Sequence, residues 1–86
     1  MKDLNLKLAI LEALDSAGTN GMTTPTLRNQ VQLTTAPTPL GTEITHATSK
    51  LEAEGFVVGV RDELDSSVTL WTITARGVAQ LRARGR

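Results

Sequence analysis

Residues 41–55 read GTEITHATSKLEAEG, and the fold turns on this stretch. Ile44, Ala47 and Leu51 recur at i, i+3 and i+7, which places them on one stripe of a helix. Thr42, Glu43, Thr45, His46, Ser49 and Lys50 fall mostly off that stripe, where solvent or a partner can reach them. Thr48 borders the stripe, with its hydroxyl in reach of a carbonyl one turn back. Gly55 sits where a glycine just past a helix end stops it. Phe56-Val57-Val58 then opens a strand at once. The spacing predicts a helix over about 42–54 and a strand over about 56–61.

On the N-terminal side, Thr34 to Gly41 (TTAPTPLG) is a breaker. Pro37 and Pro39 bias the residues before them to extended geometry, so no long helix passes through. Leu40 is expected to pack back on the core. Before the breaker, Thr24 is placed to cap a short helix over about 25–32, with Pro25 at its first position. Leu27 and Val31 face inward there, Leu33 is expected to close the end, and Arg28, Asn29, Gln30 and Gln32 are exposed. Earlier still, Asp3 is placed to cap a first helix over about 4–17. Leu6, Ile10, Ala13, Leu14 and Ala17 form a broad stripe on it, with Leu4, Leu8 and Leu11 beside them, so this helix is expected to be central. Gly18, Asn20 and Gly21 end it in a turn.

On the C-terminal side, Phe56, Val58 and Val60 alternate with Val57, Gly59 and Arg61, a period-2 strand with apolar residues on both faces. Residues 62–67 (DELDSS) form a polar hairpin tip without the spacing of a calcium loop. A second strand spans about 68–73, with Trp71 as an anchor between hairpin and helices. Thr74 is placed to cap a last helix over about 75–84, whose apolar pair is Val78 and Leu81. The order is helix, helix, helix, strand, strand, helix. The fold class is mainly α with a small β-hairpin (α+β), a winged helix-turn-helix, and residues 1–86 are expected to form one such domain.

Composition excludes several function classes. There is no cysteine, hence no disulfide framework and no thiolate metal site. No apolar run approaches the roughly 18 residues of a membrane span. Asp3 and Glu12 interrupt the N-terminal stretch, which lacks a small-residue cleavage site, so the expected compartment is the cytoplasm. The chain shows no phosphate-binding glycine loop, nucleophile elbow or framed carboxylate pair, so no enzyme, catalytic residue, cofactor or metal is expected. Net charge is zero but uneven: residues 1–65 hold five cations and nine acids, while residues 66–86 hold four arginines and no acid.

Three segments carry a family resemblance. ILEAL at 10–14, ITHATSKLEAEGFV at 44–57 and WTITARGVAQL at 71–81 resemble the first helix, the recognition helix with first wing strand, and the second wing strand with following helix of MarR- and PadR-type transcription regulators of bacteria. The resemblance spans most of the chain and implies a DNA-binding regulator of bacterial or phage origin, acting as a homodimer. Its third helix would enter the major groove of double-stranded DNA. Thr42, Thr45, His46, Ser49 and Lys50 would then face bases or phosphates, Arg28 would meet the backbone from the second helix, and Arg61 would lie at the base of the wing. Against this stands the charge of segment 41–65: Lys50 and Arg61 face six acids. Phosphate binding rests on Lys and Arg. The same segment therefore motivates an alternative, a non-enzymatic protein-interaction module that meets a basic partner through an acidic 41–65 surface.

Overall fold

The computed structural model describes residues 2–35, 38–61, 63–65 and 67–84, with the side chains of Lys2, Asp3 and Thr19 outside the description. Helix α1 (Lys2–Ala17) is the centre of the fold. Its Leu6, Ile10, Leu11, Ala13 and Leu14 are buried, and they meet every later helix and the sheet. The helix begins at Lys2, so Asp3 falls in the first turn rather than at the cap position before it, and its side chain lies outside the described residues. A single 3-10 turn (Gly18–Asn20) follows, opened by Gly18 at φ +64° and closed by Gly21 at φ +70°.

The chain next forms strand β1 (Met22–Thr23), helix α2 (Thr24–Thr34), helix α3 (Gly41–Ala53), strands β2 (Val57–Arg61) and β3 (Thr69–Ile73), and helix α4 (Ala75–Ala83). Strand β1 corrects the expected two-stranded hairpin: the sheet is three-stranded and antiparallel, in the order β1-β3-β2. Met22 pairs with Trp71 and Thr23 with Leu70. Two residues between a glycine turn and a Thr-Thr-Pro helix start carry no strand signal of their own; a partner 49 positions ahead imposes the conformation on Met22. Gly21 is required beside it, because a Cβ there would stand 2.5 Å from the Trp71 carbonyl oxygen and 2.7 Å from Thr72 Cγ2.

Leu27 and Val31 of α2 are buried, as their i, i+4 spacing predicts. Three neighbouring expectations fail. Thr24 is the first helical residue, with Thr23 at the cap position, and its hydroxyl accepts a hydrogen bond from Trp71 Nε1 at 2.9 Å instead of capping the helix. Leu33 is 75% exposed, because α2 continues to Thr34 and carries it round to the side away from Leu27 and Val31. Leu40 is 66% exposed; its neighbour Pro39 is the buried residue, and the Pro39 carbonyl accepts from Gln32 Nε2 at 3.1 Å. That bond fastens the connection between α2 and α3 from its far end. Ala36 and Pro37 of the same connection lie outside the described residues.

Helix α3 buries Ile44, Ala47, Thr48 and Leu51. Thr48 Oγ1 donates to the Ile44 carbonyl at 2.8 Å, which satisfies the one buried polar side chain among the core residues. The helix ends in two nested bonds: Gly55 N–H to the Glu52 carbonyl at 3.0 Å and Phe56 N–H to the Leu51 carbonyl at 2.9 Å. This is the Schellman arrangement, and it needs the positive φ of Gly55 (83°). The chain is thereby turned straight into β2, whose Val57 enters the core while Val58 and Val60 stay exposed. Thr74 caps α4 by accepting from Gly77 N–H at 3.1 Å, and its own hydroxyl donates back to the Gly55 carbonyl at 2.8 Å. The start of α4 is thus tied to the end of α3. The wing tip is part-described: Asp62 and Ser66 lie outside, while Asp65 accepts from the Ser67 hydroxyl at 2.6 Å and from its N–H at 3.1 Å.

Two outcomes test these contacts. A Cβ on Gly77 would collide with the Phe56 carbonyl oxygen and come within 2.7 Å of Ile73 Cγ1. Gly77→Ala should therefore destabilise the fold by about 1–3 kcal/mol in urea unfolding, outweighing the ~1 kcal/mol that alanine gains in a helix interior. Trp71→Phe and Thr24→Ala each remove the same hydrogen bond. The double variant, followed by circular dichroism, should show a coupling of about 1 kcal/mol between them.

Candidate nucleic-acid interface

The outward face of α3 carries Thr42, Thr45, His46, Ser49 and Lys50, all exposed, opposite the buried stripe. Small hydroxyl side chains leave the helix backbone close to the surface, so a large partner can approach it closely. Thr45 Oγ1 donates to the Gly41 carbonyl at 3.0 Å. Its proton is committed, and what it offers outward is a methyl group and an acceptor.

At the N-terminal end, Leu40 occupies the cap position. A leucine side chain has no acceptor, so the first amides of α3 receive no side-chain cap. Glu43 supplies the return half of a capping box, accepting the Leu40 N–H at 3.0 Å. Arg28 reaches across from α2 to this end. Its Cδ lies 2.9 Å from where a Cβ on Gly41 would stand, so the Arg28 side chain lies over the glycine at the start of α3. Arg28 and Thr45 share a small cavity of about 20 Å³ floored by Trp71. The Trp71 ring in turn covers Gly59 of β2, where a Cβ would sit 2.8 Å from Cζ3. One aromatic side chain therefore sets the spacing of α2, α3 and the wing.

Six of the seven predicted residues form three groups, and Ser49 is exposed farther along α3. Arg28, Thr42 and Thr45 belong to the N-terminal end of α3. His46 and Lys50 lie on its α1-facing flank, in a cleft of about 170 Å³ that they share with Lys7 of α1 and Glu43. Arg61 stands apart on β2, opposite Thr69. Lys7 was missed by sequence reasoning, because only the packing of α1 on α3 brings it there. Periodicity on α1 places it beside the buried stripe and says nothing about which helix it faces. Two arginines lie at the other end of α3: Arg76 of α4 lies over the Phe56 ring at 5.1 Å, and Arg84, just past α4, lines a cleft with Lys7, Glu54 and Phe56.

The acids of segment 41–65 do not form one free acidic face. Glu43 holds the Leu40 amide, Glu52 Oε2 accepts from Gly59 N–H at 3.3 Å, and Glu54 Oε1 pairs with Lys7 Nζ at 3.1 Å. Asp65 holds Ser67, and the Ser67 hydroxyl, followed by its backbone N–H, keeps the Asp65 carboxyl below the usual carboxylate range. These carboxylates brace the helix start, the wing base, the α1–α3 contact and the wing turn.

Comparison with known proteins follows from this geometry. No protein-family model matches the chain, and no curated protein does. Solved structures do. The transcriptional regulator BldR from Sulfolobus solfataricus is 28% identical with a TM-score of 0.72, over 92% of this chain and 50% of its own. The PcaV transcriptional regulator from Streptomyces coelicolor is 26% identical with a TM-score of 0.73, over 93% of this chain and 53% of its own. A MepR F27L mutant from S. aureus, bound to an oligodeoxyribonucleotide, is 18% identical with a TM-score of 0.77, over 92% of this chain and 53% of its own. The chain thus spans about half the length of the proteins it matches. ZitR from Lactococcus lactis, a zinc-responsive MarR family member, is 19% identical with a TM-score of 0.70, over 90% of this chain and 47% of its own. With its four helices, three-stranded sheet and β2–β3 hairpin, the chain has a winged helix-turn-helix fold similar to that of these regulators.

Proposed function

We propose that this chain is a DNA-binding unit of a transcription regulator, with α3 in the major groove of double-stranded DNA. The observation that carries this reading is the N-terminal end of α3. The Arg28 side chain lies beside Gly41, Leu40 at the cap position has no side-chain acceptor, and a row of small exposed side chains follows. A helix N-terminus with a neighbouring guanidinium suits a phosphate. MepR, which shares the fold, is seen bound to an oligodeoxyribonucleotide.

In this reading Arg28 and Lys50 neutralise phosphates on either side of the groove, while Thr42, Thr45, His46 and Ser49 face base edges. Arg61 meets the backbone from the wing, and two chains act as a dimer on paired half-sites. The acids engaged within the fold remain charged, so the affinity is modest and depends strongly on salt. That Glu43, Glu52, Glu54 and Asp65 are each bonded within the fold favours DNA over a basic protein partner for this face.

A labelled random-sequence duplex, titrated by fluorescence anisotropy at about 50 mM salt, should bind, and the logarithm of affinity should fall linearly with the logarithm of salt. Arg28→Ala and Lys50→Ala should each lessen that slope by about 0.9 per bound chain. Absence of binding at low salt would overturn the reading. Glu63→Gln, which removes an exposed charge near the wing tip, should tighten nonspecific binding if the wing lies against the backbone.

A further inference from the structure

Leu40 breaks two rules at one position. It is a large apolar side chain left 66% exposed, although the sequence pattern places it against the core. It also occupies the cap position of α3, where Ser, Thr, Asp or Asn would hold the first-turn amides and leucine is among the poorest choices. Neither burial nor helix stability accounts for it. Its backbone, by contrast, is held at both ends: the N–H donates to Glu43 Oε1 at 3.0 Å and the carbonyl accepts from Ile44 N–H at 3.1 Å. An exposed leucine on a fixed backbone, at the leading end of the helix, is placed to touch something.

Resting on the DNA reading above, we infer that Leu40 is a specificity-determining residue that contacts the 5-methyl group of a thymine. The residues at the N-terminal end of a recognition helix are those that reach base edges. In the major groove the one apolar group on a base edge is the thymine methyl. With Lys50 assigned to a phosphate, the rest of the α3 face supplies no bidentate base reader, since Thr42, Thr45, His46 and Ser49 include no Arg, Lys, Asn or Gln. The Thr45 proton is spent on the Gly41 carbonyl, so that residue also presents a methyl outward. The hydroxyls and the imidazole offer single hydrogen bonds, and Leu40 is the largest apolar side chain at this end of α3.

The test separates this inference from the reading on which it rests. Duplexes are selected from a random-core library with the full chain, and each thymine of the selected core is replaced in turn by deoxyuridine, which removes only the methyl. The expected result is one position per half-site at which deoxyuridine weakens binding of the unaltered protein about fourfold, the value of one buried methyl. At that position Leu40→Ala should bind the thymine and deoxyuridine duplexes equally. The variant should keep the thermal midpoint of the parent, since the Leu40 side chain is exposed and only its backbone is bonded. If no thymine is sensitive, or if Leu40→Ala keeps the same sensitivity, the inference is overturned while DNA binding stands. If Leu40→Ala loses affinity equally for all duplexes, the base contact is likewise overturned. If selection enriches no sequence, sequence-specific reading falls, and this inference with it.

Discussion

The row Met22–Trp71–Gly59 across the sheet is the constraint on which the rest of the structure depends. Trp71 stands in the central strand. Its ring fills the space a side chain at 59 would occupy, and its indole N–H is bonded to Thr24 at the start of α2. On the far side of Gly59, the backbone N–H of the same residue reaches Glu52 at the end of α3. Five elements, β1, β2, β3, α2 and α3, are thus fixed to one another through this row. A two-stranded ribbon is marginal by itself. This one is held by a third strand on one edge and by a carboxylate on the other, and the carboxylate also shields an edge amide that would otherwise invite pairing with another chain.

Helix α3 has two faces with opposite demands, and its composition meets both. Inward, Ile44, Ala47 and Leu51 fill the space between α1 and the sheet, and Thr48 joins them by bonding within the helix. Outward, threonine and serine keep the surface low. Threonine suits both faces because its hydroxyl can return to the backbone, leaving a methyl to be either buried, as at position 48, or displayed, as at position 45. The length of α3 between the Arg28 end and the Arg76 end, about 20 Å for 13 residues, separates the cations of α2 from those of α4. The cations at the two ends of α3 are accompanied by carboxylates, Glu43 at its start and Glu54 at its end.

The distribution of acid tells a related story. Summed along the sequence, segment 41–65 is strongly negative and argues against a polyanion. In space, Glu43, Glu52, Glu54 and Asp65 each answer an amide, a hydroxyl or an ammonium of the fold itself. A carboxylate so engaged still repels phosphate at range, but it is not offered as a docking group. Charge summed along a sequence counts both kinds alike.

Local chemistry was sufficient for much of this molecule. The stripes on α1, α2 and α3, the stop at Gly55, the cap at Thr74 and the turn into β2 all follow from neighbours within one or two helical turns, and all stand where that chemistry puts them. Only the tertiary structure decided the rest. Strand β1 exists because β3 is there to pair with it. Thr24 gives its hydroxyl to Trp71 because the sheet brings the indole over it. Pro39, not Leu40, is buried because Gln32 holds the connection by the Pro39 carbonyl, and Lys7 joins the α3 flank because α1 crosses there. The division has one physical cause. Periodicity, caps and turns are set by bonds that span a few residues, whereas the partner of a side chain across the core is set by how whole elements pack, and no window of sequence contains that information.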